Sequence, residues 1–526
     1  MVVVEIDYDD FKDMFRLDKA KVVSGLTEIG APTEVDEETG KLFVEVTPNR
    51  PDWYSVVGLA RALQAYYKER VKRYKAEKSN YKIVVDKKVS KIRPYTVGAV
   101  VKGLEFNDVS IRDAVLLQEK LLATLGRRVK RFGIGIYPLE KLKFPVRYTT
   151  MKPEEIVYKP LNYPKVADAN EILREHPKGM EYGHIIKNAK EYPVYLDADG
   201  NIMALIPIVN SEDSGRVDRA TKDIFIEVTG VDVVGINQAL NILVCHFVDL
   251  GGRAYSVEVE YEDRKIRSPE LNYTKLDIDE KEVERVLGVR IEKNEIKKAL
   301  LRMGYAVESN YVATQPYRAD ILGFIDVIED IAIVYGYNNF EPTVPDFFYP
   351  GKKIVKYRKI NDIMQRMGFV EISTPVLTNK NILEVFGQKG LEVLNPKTIE
   401  YTTIRPSLIP SVMEVLVKNK MRGLPQRIYE VGRALCVNEK TMLCFAYVDK
   451  DVDFPIMRGY IQTLCKEMGW AFALESAPIE FFEQPYSANI VLNKKIKGVV
   501  GKINKETMAA LDILFPTYIC QLELSD

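Results

Sequence analysis

Histidine is nearly missing from this chain of 526 residues, which has only His176, His184 and His246. A catalytic triad or zinc centre built on histidine has little to draw on. Cysteine is sparse too: the five residues, at 245, 436, 444, 465 and 520, include no pair at zinc-ligand spacing. Free, mostly buried thiols in a reducing compartment are expected. Net charge is absent, with 75 Lys and Arg against 75 Asp and Glu. A dedicated nucleic-acid binder is usually basic, so any RNA contact must come from local patches. No apolar run reaches the length of a membrane span. The acidic start, Met1 to Asp7, does not read as a signal peptide, so a cytoplasmic protein is expected. Low-complexity segments and internal repeats are also missing.

What the chain does have is length and an ordinary globular balance, 46% hydrophobic and 29% charged. That is enough for three or four domains with separate cores. Four are expected, at 1–85, 86–265, 266–345 and 346–526, making an α+β multidomain protein. In residues 1–85, an opening strand and the alternating 41–46 accompany helices at 8–17 and 54–67. Pro48 and Pro51 stiffen the turn between the second strand and the second helix, with Asp52 a possible cap. The charged stretch 68–78 reads as a linker. Residues 86–265 hold Val/Ile/Tyr-rich strands at 96–101, 132–137, 194–196 and 204–209, with a helix at 111–125. In residues 266–345, Asp279 and Glu282 give a capping signature, and Gly304 ends a helix begun near Glu292. Two short helices and a strand pair there suggest a winged-helix-like module. The remainder mixes helices (357–367, 407–420, 456–468) with strands (369–373, 427–431, 443–448, 488–492).

The most informative feature is Pro316-Tyr317-Arg318-Ala319-Asp320 and the segment after it. Ile321, Leu322, Ile325, Ile328, Ala332 and Ile333 recur at near-helical spacing, so a helix is expected over 321–334. Asp320 then sits at its N-cap, while Asp326, Glu329 and Asp330 share one face. Carboxylates converging in this way suit a hard cation. The same pattern also describes an amphipathic helix with a solvated acidic edge. A basic run between Lys120 and Lys143 (Arg127, Arg128, Lys130, Arg131, Lys141) reads equally as an RNA contact or a solvated surface.

Several stretches resemble one family in its own order. They are Glu45-Val46-Thr47-Pro48-Asn49-Arg50-Pro51-Asp52, then Pro207-Ile208-Val209-Asn210-Ser211-Glu212, then the acidic segment, and finally Arg405-Pro406-Ser407-Leu408 and Tyr429-Glu430-Val431-Gly432. The family is the β subunit of phenylalanyl-tRNA synthetase, archaeal and eukaryotic cytosolic type. The resemblance implies an (αβ)2 heterotetramer that ligates phenylalanine to tRNA-Phe, with ATP and phenylalanine bound by the α subunit. It implies a magnesium ion shared with α and held by Asp320, Asp326, Glu329 and Asp330. The family often has glutamate at the last of these places. It also implies a class II synthetase-like domain at 346–526, an antiparallel sheet with flanking helices. Arg405 and Glu430 are too far apart in sequence for that fold's α-phosphate pair, and Gly498 to Ile503 lacks the second arginine. The domain thus reads as catalytically degenerate. At Tyr486-Ser487-Ala488-Asn489, where the family usually has Gly-Arg, the chain departs from it.

For residues 86–265 the resemblance implies hydrolytic editing of tyrosyl-tRNA-Phe. An apolar pocket rejects an isostere that adds one hydroxyl by only about 10²-fold, so a second sieve is physically motivated. Candidate residues are Gln118, Arg128, Asn210, Ser211, Glu212, Thr221, Asp223, Glu227 and Thr229. Their carboxylates and amides could orient a water, and Arg128 could hold the terminal ribose or phosphate. Ser211 is not expected to be a nucleophile, and His184 reads as structural. Two further readings are a scaffold with an inactive pocket and a free-standing RNA-binding adaptor.

Overall fold

Leu42, Val44 and Val46 alternate with less buried neighbours, and all three are fully buried along the strand Leu42–Val46. That strand is the centre of a three-stranded antiparallel sheet, flanked by Val2–Ile6 and Thr33–Val35. The structure is a computed structural model that describes residues 2–15, 17–308, 311–344, 351 and 357–524. The chain divides into two units, 1–344 and 345–526, both mixing helices and strands.

In the first unit, the turn after Val46 is held by charge as well as by proline. Arg50 donates two hydrogen bonds to the buried Asp52 carboxylate, at 2.9 and 2.8 Å. Asp52 is therefore not the cap of the next helix. Ser55 is: its hydroxyl accepts the Gly58 amide at 3.0 Å, and Val56–Lys68 follows. Position 58 demands glycine, since a Cβ would stand 1.9 Å from the Asp52 carbonyl oxygen. Residues 68–78 are no linker either. Tyr74 is buried with its hydroxyl 2.9 Å from Asp249, and Ala76–Glu77 pairs with Arg253–Glu260.

Arg253–Glu260 runs through the middle of an eleven-stranded mixed sheet. Its main path passes Val209–Asn210, Ile202–Leu205, Tyr192–Leu196, Val146–Met151, Lys82–Val85, Arg253–Glu260, Tyr95–Lys102, Ile224–Gly230 and Phe132–Pro138. Lys82–Val85 joins it from before the span 86–265, and Lys265–Ser268 runs past the end of that span. Ile224–Gly230 is buried at all seven positions, as a strand covered on both faces must be. Ile224, Ile226 and Val228 share a core with the helices Asp108–Ala123 and Val233–Asp249. Phe225 points the other way, among Tyr137, Tyr148 and Tyr195. By alternation, Glu227 and Thr229 share that second face. His184 is exposed, with Nδ1 3.1 Å from the Glu181 carbonyl oxygen, whereas His176 and His246 are both buried.

Asp279 accepts the Lys281 and Glu282 amides at 3.0 and 3.2 Å and caps Glu280–Leu287. Lys293–Arg302 ends before Gly304, whose φ is +84°. A small sheet orders Lys275–Asp277, Tyr311–Ala313 and Ala306–Val307. The acidic helix begins later than expected, spanning Phe324–Tyr335, and Asp320 is not its N-cap. Gly323 holds that place, and the Asp326 carboxylate reaches back to the Leu322 and Gly323 amides at 2.7 and 2.9 Å. Leu322, counted in the apolar pattern, is 93% exposed.

The second unit is built on a seven-stranded sheet with the order Val370–Glu371, Gln426–Leu435, Glu439–Val448, Thr517–Leu524, Lys495–Ile503, Phe482–Leu492 and Phe472–Ser476. Only the first pair is parallel. Glu439–Val448 shows how two layers of helix are recruited. Leu443, Phe445 and Tyr447 pack with Phe454–Met468, while Met442, Cys444 and Ala446 pack with Ile409–Lys418. All five cysteines are free, and only Cys436 is exposed.

Candidate functional site

Seen from the helix Asp108–Ala123, the face turned toward Phe132–Pro138 leaves a cavity of about 240 Å³. Phe106, Ile111, Ala114, Ile136 and Phe247 supply an apolar floor, and Gln118, Asn162, Asn210 and Arg216 supply polar edges. Gln118 is fixed by donating Nε2 to the Ile134 carbonyl at 3.0 Å. Asn210 accepts the Tyr137 hydroxyl at 3.2 Å, and Tyr137 also lies 3.5 Å from Glu227 Oε1.

Of the residues proposed from sequence, Gln118 and Asn210 line this cavity, and Glu212 stands beside it through Arg216. Ser211 is buried, and its hydroxyl accepts the Asp213 amide at 3.3 Å, a capping role. Glu212 is gripped by Arg216 through two hydrogen bonds and by the Asn162 amide at 3.0 Å. The Arg216 hydrogen bond, aided by Asn162, holds its carboxyl at about 2. It is ionised throughout the neutral range.

Glu227 is sealed in the core. Burial, partly offset by the Arg93 charge, pushes its carboxyl up to about 8. Its Oε2 and the Thr229 hydroxyl have no hydrogen-bond partner among the described residues. A carboxyl of this kind is protonated at neutral pH and touches the cavity only through Tyr137 and Asn210. Three other candidates are not brought to the cavity. Thr221 bonds to Asp218, and Asp223 accepts the Gly103 amide at 3.0 Å. Arg128 is exposed in a turn whose residues Arg127, Arg128 and Val129 all have positive φ. Sequence reasoning passed over Tyr137, Asn162 and Arg216. Arg216 was within reach, because it stands four residues after Glu212, a spacing that pairs side chains on one helical turn.

Within the basic run, most cations are engaged. Lys120 donates to the Val3 carbonyl at 3.0 Å, Arg131 pairs with Asp232, and Lys143 pairs with Asp199. Arg127, Arg128 and Lys130 stand exposed.

The four acidic candidates for magnesium do not converge. Arg318 binds both oxygens of Asp320, at 2.8 and 2.7 Å, and also Asp330 Oδ2 at 2.7 Å. Tyr305 donates to the same Asp330 oxygen. Burial works against ionisation of Asp320, yet the Arg318 charge and its hydrogen bonds hold it below the usual range. Asp326 is occupied with backbone amides, and Glu329 faces an open apolar depression with Ile325 and Tyr337. Among the described residues no three His, Cys, Asp or Glu side chains are placed to hold one metal ion. A guanidinium stands where the cation was expected, so this arrangement does not fit bound magnesium.

In the second unit Arg405 and Glu430, distant in sequence, are paired at 2.9 Å and buried. Arg405 spends its other donors on the Arg433 carbonyl at 2.8 Å and on Thr374. Buried and bonded through all three of its nitrogens to the chain's own groups, this guanidinium is held inward.

Residues 338–524 match the family described as phenylalanyl tRNA synthetase beta chain CLM domain, and residues 276–337 match the tRNA synthetase B5 domain. A phenylalanine–tRNA ligase beta subunit of Archaeoglobus fulgidus is 35% identical, over 100% of this chain and 98% of its own. One from Pyrococcus horikoshii is 32% identical over 93% of this chain and 92% of its own. The crystal structure of an N-terminal fragment of the Pyrococcus horikoshii beta subunit has a TM-score of 0.61 and 33% identity, covering 64% of this chain and all of the fragment. The chain belongs to the family of phenylalanine–tRNA ligase beta subunits.

Proposed function

We propose that this chain works in the cytoplasm with an α subunit, as an (αβ)2 assembly that ligates phenylalanine to tRNA-Phe. ATP and its magnesium are handled on α. Residues 346–526 are a catalytically silent class II-like domain, for which the support is Arg405, buried and paired with Glu430. Residues 1–85 and 266–345 serve packing and subunit contact. Residues 86–265 hydrolyse tyrosyl-tRNA-Phe.

The observation that carries the editing role is the cavity itself, an aromatic floor under the fixed amides of Gln118 and Asn210 with Glu212 at its side. A tyrosyl ring suits the floor, and its hydroxyl needs a partner that phenylalanine would leave unpaired. Hydrolysis then requires only an oriented water. Its oxygen bonds to the ester carbonyl carbon, its proton passes to a carboxylate, and the ribose hydroxyl leaves with a proton.

The test is deacylation of tyrosyl-tRNA-Phe by the assembled enzyme, with phenylalanyl-tRNA-Phe as control. Selective release of tyrosine is expected, and Gln118→Ala or Glu212→Ala should slow it about 10- to 100-fold. A second reading is favoured by one feature: Glu212 is tied to Arg216 and Glu227 is sealed. The domain would then be a scaffold, and intact tyrosyl-tRNA beside normal charging would establish that.

A further inference from the structure

Arg216 lines the cavity, and its pairing with Glu212 behind it lies where two segments are stitched together. Glu212 donates its amide to the Lys159 carbonyl at 2.8 Å, and Leu161 donates its amide to the Asn210 carbonyl at 2.9 Å. Arg216 Nη2 lies 3.0 Å from Glu212 Oε2 and 2.8 Å from Asn162 Oδ1. Its side chain is 48% exposed against 19% for Glu212, so the cation is the more accessible partner. The Nη1 donors take no partner among the described residues. Lys141, whose Nζ is 3.1 Å from the Arg216 carbonyl oxygen, adds a second exposed cation to the same lip. Arg216 is the one cationic side chain lining the cavity among the described residues.

A guanidinium fork fits a phosphate as well as a carboxylate, and phosphate brings more charge-assisted acceptors. Resting on the editing reading, we propose that Arg216 exchanges Glu212 for a phosphate of the incoming acyl-RNA end. The released carboxylate is then the group that orients the hydrolytic water. Arg216 is thus a positioning residue, and arrival of RNA arms the site. Without RNA, Glu212 stays clasped and the cavity does not hydrolyse simple tyrosine esters.

Competition of this kind makes two variants move binding in opposite directions. The probe is a labelled acceptor-stem RNA bearing tyrosine through a 3′-amide, which cannot hydrolyse, titrated into the full heteromeric enzyme. Glu212→Gln frees the fork and should tighten binding about 3- to 10-fold, while Arg216→Gln should weaken it by a similar factor. Arg216→Lys retains the charge without the fork and should fall between Arg216→Gln and the wild type, which also guards against a misfolded Arg216→Gln. Unchanged or weaker binding by Glu212→Gln overturns the exchange. Hydrolysis is read separately on tyrosyl-tRNA-Phe: its absence in the wild type defeats the editing reading, while the binding order alone decides the exchange.

Discussion

Arg405 and Glu430 in the second unit have side chains 2% and 4% exposed, while Arg216 and Glu212 in the first are 48% and 19% exposed. Each is an arginine bonded to a glutamate, yet their surroundings give them opposite uses. A buried pair has no water to fall back on, so removing one partner strands the other. A pair at a cavity lip is bathed in solvent, contributes little to stability, and can trade partners cheaply. Arg318, with side-chain exposure of 3% and carboxylates on two sides, belongs with the first kind.

The strongest way to sharpen the contrast is Arg318→Met, which leaves both Asp320 and Asp330 without their cation. A loss of about 5 kcal/mol is expected for the first unit, at the upper end for a broken buried pair. Trp53 fluorescence in a Trp470→Phe background during urea unfolding would read it. Magnesium adds a second arm. The wild-type chain alone should show the same midpoint with or without EDTA, because Arg318 fills the space between the carboxylates. Added magnesium should raise the midpoint of Arg318→Met by giving them a replacement cation. A wild-type midpoint that falls in EDTA would break this account.

Arg405→Met comes next, at about 3–4 kcal/mol, since it strands a single buried carboxylate. Trp470 in a Trp53→Phe background would report the second unit. A change below about 1 kcal/mol would mean that water reaches Glu430 and that the two kinds of pair do not differ as argued.

These pairs also show where the sequence was legible. Alternation and caps marked most elements: Leu42, Val44 and Val46 face a core, and Asp279 and Gly304 bound their helices where expected. Local signals carry such features, because the partners lie within a few residues. The Arg405–Glu430 pairing, across 25 positions, was invisible to spacing and appears only in the folded chain. The acidic segment shows a related limit of reading carboxylates alone. Its carboxylates were read for a metal, but Arg318, two residues before Asp320, is a cation already supplied by the chain. Tyr74 hid in the same manner within a run of charges, and Glu227 showed nothing in sequence of the three tyrosines around it. Gln118 and Asn210, named through the family resemblance, line the cavity, whereas Asn162 came from a loop that no motif marked.

Glu227 offers a pH test of intermediate size. Its carboxyl is raised on folding from 4.5 to about 8 by burial. The cost therefore vanishes below the unfolded value, grows as pH rises between the two, and is constant above the folded value. Glu227→Gln should accordingly stabilise the first unit by on the order of 4 kcal/mol at pH 8 and by nearly nothing at pH 4. Urea midpoints of variant and wild type across that range would read it. A difference independent of pH would mean that the carboxyl is ionised in place, with Arg93 outweighing burial.

The smallest expected effect completes the contrast. Arg216→Met should lower stability by about 0.5–1 kcal/mol, because the pair it breaks is solvated and short in sequence. The released Glu212 remains ionised but meets water instead of a closed core. The Asn162 amide still holds it at 3.0 Å, and the backbone bonds of Leu161 and Glu212 keep the two segments joined. The RNA affinity of the same variant should nevertheless fall, so stability and binding separate at this position. At Arg405 they should not: its substitution damages the fold first, and any loss of function follows from that. If Arg216→Met proves as destabilising as Arg405→Met, the clasp is a structural pin, and Glu212 is not free to leave it when RNA arrives.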